Sequence, residues 1–273
     1  MISSKIIKIK KYSSSDYNTK DDHVAVEEPL EISIEYGINN ERVQKIISVT
    51  MRTPGNDEEL AAGFLFTEGI LKNSDEIFNS DNSQLKENKI VIRLNENVTP
   101  DINNAERNFY TTSSCGVCGK TSIDSVKTVS AFIDVSDNLK ITADILYCLS
   151  DELKNQQKIF QVTGGLHASA LFDINGNFEN LREDVGRHNA LDKLIGNYFL
   201  ENMLPLSDKI LFLSGRASFE LVQKAMMAGI KLVVSVGAPS SLAVSLAIES
   251  GITLTGFLKK ESFNVYANDH RIQ

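Results

Sequence analysis

The sequence predicts an α/β fold. A small N-terminal α+β domain spans residues 1–110, a mobile thiol loop spans 111–122, and a larger domain over 123–273 is built on a largely parallel sheet. Two observations carry this. Leu30, Ile32, Ile34 and Tyr36 alternate with polar partners, as do Ile90, Ile92 and Leu94, the period-two pattern of half-buried strands. Past residue 208, apolar runs alternate with helical stretches, a β-α-β-α-β order that sets parallel strands side by side under helices.

Taken in order, Ile6, Ile7 and Ile9 open a strand and the polar residues 13–23 read as a loop. Residues 30–36 and 43–50 form a hairpin about a turn at 37–40. Pro54-Gly55 breaks the chain, and Asn56 or Asp57 caps a helix. Its first turn holds Glu58 and Glu59, its apolar positions are Leu60, Ala61, Phe64 and Leu65, and Gly69 ends it. Residues 73–88 are a polar loop or short helix, 90–94 a strand and 95–108 irregular. Thr142 or Asp144 starts a helix carrying Ile145, Leu146, Cys148, Leu149 and Leu153, so Cys148 is expected to be buried and inert. Strands 170–174 and 178–181 flank Asn175-Gly176, the signal of a hairpin with a primed turn. Ala190, Leu191, Leu194, Ile195, Tyr198 and Phe199 mark an amphipathic helix. There follow a strand over 209–213, a helix over 218–228 closed by Gly229, and a strand over 232–236. A helix from 240 or 241 to 250, closed by Gly251, leads to strands at 252–255 and 263–266.

The 28 Lys and Arg face 36 Asp and Glu, a formal net charge of −8. A general nucleic-acid binder is therefore not expected, and an anionic ligand needs a local basic cluster. Three cysteines, a small odd number, fit a reducing compartment without a disulfide framework. Residues 1–11 lack the apolar run of a signal peptide and no later run spans a bilayer, so the expected location is the cytoplasm, with no membrane partner.

Four polar stretches bear chemistry. Cys115-Gly116-Val117-Cys118-Gly119-Lys120 follows the hydroxyl run Thr111, Thr112, Ser113, Ser114, and neither flank has the periodicity of a buried element. Its glycines let backbone amides turn toward a sulfur anion and Lys120 adds a positive charge, both favouring a thiolate. Three readings compete: a zinc half-site, which lacks a second Cys pair and would need His167 and His188; a dithiol redox motif; and persulfide chemistry. The thiols alone do not choose. Thr163-Gly164-Gly165-Leu166-His167 is either a turn or a ligand site. Arg182-Glu183-Asp184-Val185-Gly186-Arg187-His188-Asn189 sets two arginines and a histidine at a helix start, the chemistry of an anion pocket, against the alternative of a solvated turn. Ser214-Gly215-Arg216 and Gly237-Ala238-Pro239-Ser240-Ser241 occupy equivalent strand-to-helix loops, where ligands of parallel sheets bind. No ordinary ATP or NAD fingerprint accompanies them.

Together with Arg52-Thr53-Pro54-Gly55, these stretches resemble, in order and over nearly the whole chain, the formate dehydrogenase accessory sulfurtransferase family. The resemblance implies a homodimeric, cytoplasmic sulfur carrier. It would accept sulfur from a cysteine desulfurase and pass it to the molybdenum cofactor carrying two molybdopterin guanine dinucleotides, for maturation of formate dehydrogenase. Cys115 would carry the persulfide and Cys118 would assist. The larger domain would be cytidine-deaminase-like, with three layers. Deamination itself is not expected: zinc deaminases use His-x-Glu and a later Pro-Cys-x-x-Cys, whereas Ala168 and Ser169 follow His167 and no proline precedes Cys115. The family's C-terminal cofactor segment maps onto Phe257, Leu258, Lys259, Lys260, Glu261 and Ser262, beside Gly215, Arg216, Arg187 and His188. A guanine nucleotide would mimic the cofactor, and no structural metal is expected. The alternatives are a non-catalytic cofactor chaperone and a zinc-stabilised binding module.

Overall fold

The computed structural model describes residues 3–14, 16–38, 41–78, 88–102, 130, 132 and 139–273. Cys115, Cys118 and the rest of the expected thiol loop lie outside them. Among the described residues, strands β1 (Ser4–Ser13) and β2 (Asp16–Ala25) pair only with each other, as an antiparallel ribbon. The hairpin of β3 (Glu28–Tyr36) and β4 (Val43–Arg52) is joined by β5 (Lys89–Arg93), parallel to β3, in the order β4-β3-β5. Helix α1 (Asp57–Thr67) lies between β4 and β5 in sequence.

The second sheet contains β6 (His167–Phe172), β7 (Phe178–Asp184), β8 (Ile210–Leu213), β9 (Leu232–Ser235), β10 (Thr253–Lys259) and β11 (Ser262–Ala267), in the order β11-β10-β9-β8-β6-β7. Its helices are α2 (Ala143–Gln156), α3 (Lys158–Thr163), α4 (Arg187–Leu200), α5 (Phe219–Met227) and α6 (Ser241–Glu249). Side chains alternate across the sheet. Ala170, Phe172, Ile210, Phe212, Leu232 and Val234 meet Leu146, Leu149 and Leu153 of α2 in one core. Leu171, Leu211, Leu213 and Val233 turn the other way, into a larger core with α4, α5 and α6. That core continues without a break into Leu30, Ile32, Ile34, Ile90 and Ile92 of the three-stranded sheet.

The junction is the crossing of α1 and α4. A Cβ on Gly196 would stand 1.8 Å from the carbonyl oxygen of Glu59, and one on Gly63 1.9 Å from that of Asp192. Both helices bring bare backbone together there. Buried polar links reinforce the contact: Arg182 grips Glu59 in a two-pronged ion pair at 2.5 and 2.7 Å, and Lys224 reaches Asp192 at 3.0 Å and Thr67 at 2.9 Å.

Several sequence expectations need correction. The six-stranded sheet is mixed: β8, β9 and β10 run parallel, but the β6–β7 and β10–β11 hairpins are antiparallel because short connections force reversal, and β6 runs against β8. The expected loop at 13–23 is largely strand β2, polar because most of the ribbon is open to solvent and no buried face imposes alternation. At Asn175-Gly176 only the glycine has positive φ (+81°), so the turn is not the primed type. It is closed instead by Gly176 N–H donating to the Asp173 carbonyl and by the Asp173 carboxylate accepting from the amides of Asn175 and Asn177. Cys148 is exposed, because the buried stripe of α2 runs through Leu146, Leu149 and Leu153 and residue 148 lies about 200° round the helix from Leu146. Helix α4 is buried almost all round, since sheet and α1 pack on opposite sides of it. Helix α3 was not anticipated.

Candidate functional site

The carboxyl ends of β8, β9 and β10 meet at one edge, and the loops that leave them are laced together. Gly237 N–H donates to the Gly215 carbonyl at 2.9 Å, Ser240 N–H to the Ala217 carbonyl at 3.0 Å, and Phe257 N–H to the Gly237 carbonyl at 3.3 Å. Gly237 is required by proximity: a Cβ there would stand 2.9 Å from Cγ of Arg216. Because β6 runs opposite to β8, its first residue, His167, arrives at the same edge. The Ser214 hydroxyl accepts from Ala168 N–H at 2.8 Å and fixes the join.

A small cavity opens here, lined by His167, Ser169, Arg187, Ser214, Gly215 and Arg216. Its volume is about 10 Å³, room for a group the size of a water or one anionic oxygen and not for a whole nucleotide. Among the described residues, Nε of Arg187 is buried with no hydrogen-bond partner, the sort of orphaned donor that a bound anion satisfies. Arg216 is exposed, and among the described residues neither arginine forms an ion pair. Burial, and then the charges of Arg187 and His188, hold the His167 imidazole below its ordinary 6.5, with Asp184 pulling the other way. His167 is thus neutral at pH 7 and offers a hydrogen bond rather than a second charge.

The charged stretch before α4 divides its labour. Arg182 is committed to Glu59, so it is not available to a ligand. Glu183 accepts from the amides of Ile159 and Phe160 at 3.0 and 2.8 Å, fastening the start of α3; burial pushes its carboxyl up and these bonds pull it back. Asp184 is fully buried and accepts from Thr53 N–H, Gly186 N–H and Lys193. Only Arg187 lines the cavity. His188 sits beside it but turns to α5, 3.4 Å from the Ser218 hydroxyl and 3.8 Å from Glu220. Burial raises the Glu220 carboxyl, but the bond from His188, its own backbone amide and Ser218 outweigh it and hold the group at about 2, against an ordinary 4.5.

A pH prediction follows for Glu220. A carboxyl held low in the folded state contributes stability above its unfolded value and loses it as pH falls from about 4.5 toward 2. Glu220→Gln is therefore expected to flatten the acid limb of the melting temperature below about pH 5, measured by calorimetry. An acid limb as steep as that of the parent protein would sink the assignment.

The FdhD/NarQ family pattern matches residues 25–273. The chain belongs to the FdhD/NarQ family. Among the family's named relatives, the sulfur carrier protein FdhD of Streptomyces avermitilis is 48% identical over 98% of this chain and 94% of its own. Its counterpart in Mycobacterium tuberculosis is 44% identical over 97% of each, and that of Picrophilus torridus 47% over 92% of each. The fold is shared with a crystal structure of a candidate formate dehydrogenase accessory protein from Desulfotalea psychrophila, with a TM-score of 0.74 over 99% of both chains at 24% identity.

In this FdhD/NarQ member the site residues expected from the sequence fall into three groups. Arg187, Gly215 and Arg216 converge on the cavity with His167, and His188 is adjacent. The segment 257–262 spans the end of β10 and the turn into β11, at the same edge, but its residues do not act alike. Phe257 is exposed and joins the Gly237 loop. Leu258 is 4% exposed and packs in the α2 core, so its side chain cannot meet a ligand. Lys259, Lys260, Glu261 and Ser262 are exposed, with Lys260 3.5 Å from Asp151 of α2 in a solvent-screened pair worth little. Cys115 and Cys118 form the third group, outside the described residues. Sequence reasoning singled out the stretches holding Thr53 and Asp184 but not the contact between them, which positions the start of α4, and it missed Glu220, which faces His188. Among the described residues no three His, Cys, Asp or Glu side chains cluster as a metal site, and no helix is long and apolar enough to cross a membrane.

Proposed function

We propose that this chain is a cytoplasmic sulfurtransferase serving formate dehydrogenase. The Cys115 thiolate attacks the outer sulfur of a cysteine desulfurase persulfide, releasing the desulfurase thiolate and leaving a persulfide on Cys115, with Cys118 assisting. Attack of the Cys118 thiolate on the inner sulfur, Cys115 Sγ, then releases the outer sulfur as hydrosulfide to the molybdenum cofactor with two molybdopterin guanine dinucleotides, held as cargo at the β8–β10 edge; the two electrons come from the thiols, which are left as a Cys115–Cys118 disulfide. The relatives named as sulfur carriers support the transfer role. The observation that carries the binding role is the cavity itself, with Arg187 Nε, partnerless among the described residues, and the exposed Arg216 beside it. A phosphate oxygen of a guanine dinucleotide matches that donor set, while the rest of so large a ligand lies outside, along the edge toward Phe257.

The helices on both faces of the six-stranded sheet support the deaminase-like, three-layer reading of this domain.

Incubation with cysteine and a cysteine desulfurase is expected to add units of about 32 Da to Cys115, read by mass spectrometry, and Cys115→Ala is expected to abolish formate dehydrogenase maturation. Guanosine diphosphate, as the cofactor mimic, is expected to bind about tenfold more weakly to Arg187→Ala and to Arg216→Ala by calorimetry. Full maturation with both cysteines replaced, alongside weakened nucleotide binding in the arginine variants, would instead establish the cofactor-chaperone reading.

A further inference from the structure

The β1–β2 ribbon takes no part in the cavity. Its strands join through ten consecutive registers, Ser4↔Ala25 to Ser13↔Asp16, and among the described residues neither pairs with any other strand. At about 3.3 Å per residue it is roughly 30 Å long. It is β2 that packs on α3, where Ala25 lies against Gly165. Among the described residues the outer edge of β1 is therefore an open row of backbone N–H and C=O groups. An isolated two-stranded hairpin is marginal in water, and an open edge is a template for a further strand.

The two strands differ in charge. β1 holds Lys5, Lys8, Lys10 and Lys11 and no acidic residue, whereas β2 holds three aspartates against Lys20. Lys8 meets Asp21 at 3.3 Å, but both side chains are open to solvent and the pair is worth little. By strand alternation Lys8 and Lys10 share one face with Ile6 and Tyr12, and Lys5 and Lys11 share the other with Ile7 and Ile9. Ile6, Ile7 and Tyr12 are 59%, 37% and 73% exposed. Each face thus offers two cations and two apolar side chains to whatever lies alongside. Edge lysines ordinarily keep strands away, and here they narrow the choice. A second β1 would set lysine against lysine, and residues 103–129 of this chain carry three cations against two acids, so neither complements the edge.

We propose that β1 is a docking edge for an extended acidic segment of another protein, which joins the ribbon as its third strand. The order of side chains along β1 dictates the partner's pattern: carboxylates opposite the four lysines, and apolar residues opposite Ile6, Ile7, Ile9 and Tyr12. Run antiparallel to β1, that pattern is met by Tyr-Glu-Glu-Val-Glu-Val-Val-Glu. Ladder hydrogen bonds supply the affinity, and cross-strand pairs supply the choice of partner. The chain as a whole carries −8, so an acidic segment is repelled elsewhere and drawn to this one basic strand. The inference does not rest on sulfur transfer, because the segment binds whether or not Cys115 carries sulfur.

The test is fluorescence anisotropy of that octapeptide, end-labelled and titrated with the full chain. Saturable binding is expected, weakening several-fold between about 50 and about 300 mM salt. A scrambled peptide of the same composition is expected to bind about tenfold more weakly, since it keeps the charge and loses the pairing. Lys5→Glu/Lys11→Glu, whose cross-strand neighbours Val24 and Asn18 are uncharged, is expected to bind the first peptide about tenfold more weakly. A peptide with lysine opposite the two replaced positions is expected to restore the affinity. Equal binding of the matched and scrambled peptides overturns the proposal, as does binding of neither. Tighter binding of single-stranded oligothymidylate or of anionic phospholipid vesicles also overturns it. The matched-against-scrambled comparison uses the parent chain alone, so it decides even where the variant fails to fold.

Discussion

Gly196→Ala is expected to lower stability on the order of 3 kcal/mol, although alanine is the better helix former by about 1 kcal/mol. The added Cβ would sit 1.8 Å from the Glu59 carbonyl oxygen and 2.8 Å from the Gly63 amide nitrogen. Both obstacles are backbone, which no side-chain rotation relieves. To reach an ordinary contact near 3.4 Å, α1 and α4 must separate by about 1.5 Å, loosening Leu60, Leu191, Leu194 and Ile195 in the core between them. The expected drop in melting temperature is about 6–12 °C for a chain of this size. Gly165→Ala provides the contrast, because the new Cβ would meet Ala25 Cβ at 3.5 Å and the two oxygens of Thr163 at 3.9 and 4.0 Å, all ordinary contacts. Equal losses in the two variants would show that the crossing has more slack than its distances indicate.

That crossing shows where sequence reading stops. The apolar periods of α1 and α4 are legible, and so are the helices themselves, but nothing in the spacing pairs Gly63 with Gly196. Strand positions were readable wherever one face is buried, as at Leu30, Ile32 and Ile34. They failed at 13–23, where β2 is polar and largely open to solvent and leaves no hydrophobic signature. The parallel core of the second sheet followed from the β-α-β alternation, but the antiparallel partners at its flanks depend on turns and on the approach of β6 from far away in sequence. In the candidate site, the glycine loops at 214–216 and 237–241 were recognisable by composition. The stretch 182–189 was recognisable only as a whole: its members look alike on paper, yet Arg182, Glu183 and Asp184 hold the fold together while Arg187 faces the cavity. Their partners are Glu59, Ile159 and Thr53, and the first and last are more than a hundred positions away.

Asp184 is the point at which that long-range design is most exposed to substitution. Its carboxylate is 0% exposed and lies 2.7 Å from Lys193, itself 2% exposed. It also accepts from Thr53 N–H at 3.1 Å, Gly186 N–H at 2.8 Å and Asn189 Nδ2 at 3.3 Å. Lys193 in turn donates to the Thr53 carbonyl at 2.8 Å. Asp184→Ala strands a buried ammonium and two amides, and is expected to cost about 3–5 kcal/mol in chemical denaturation. Lys193→Met on its own leaves the carboxylate three hydrogen bonds and should cost less. Combining the two removes both charges, so the double variant is expected to recover about 1–3 kcal/mol relative to the sum of the single losses. Strict additivity would mean that the pair is not coupled in the folded state. The same contacts set the direction in which α4 begins, and α4 opens with Arg187 and His188. Asp184→Ala is therefore also expected to weaken guanosine diphosphate binding at temperatures where the variant remains folded, whereas Gly196→Ala, acting about two and a half turns along the helix from Arg187, should alter stability more than affinity. Asp184 is by this reasoning a positioning residue: it does not line the cavity, yet its contacts hold the start of α4, which carries Arg187.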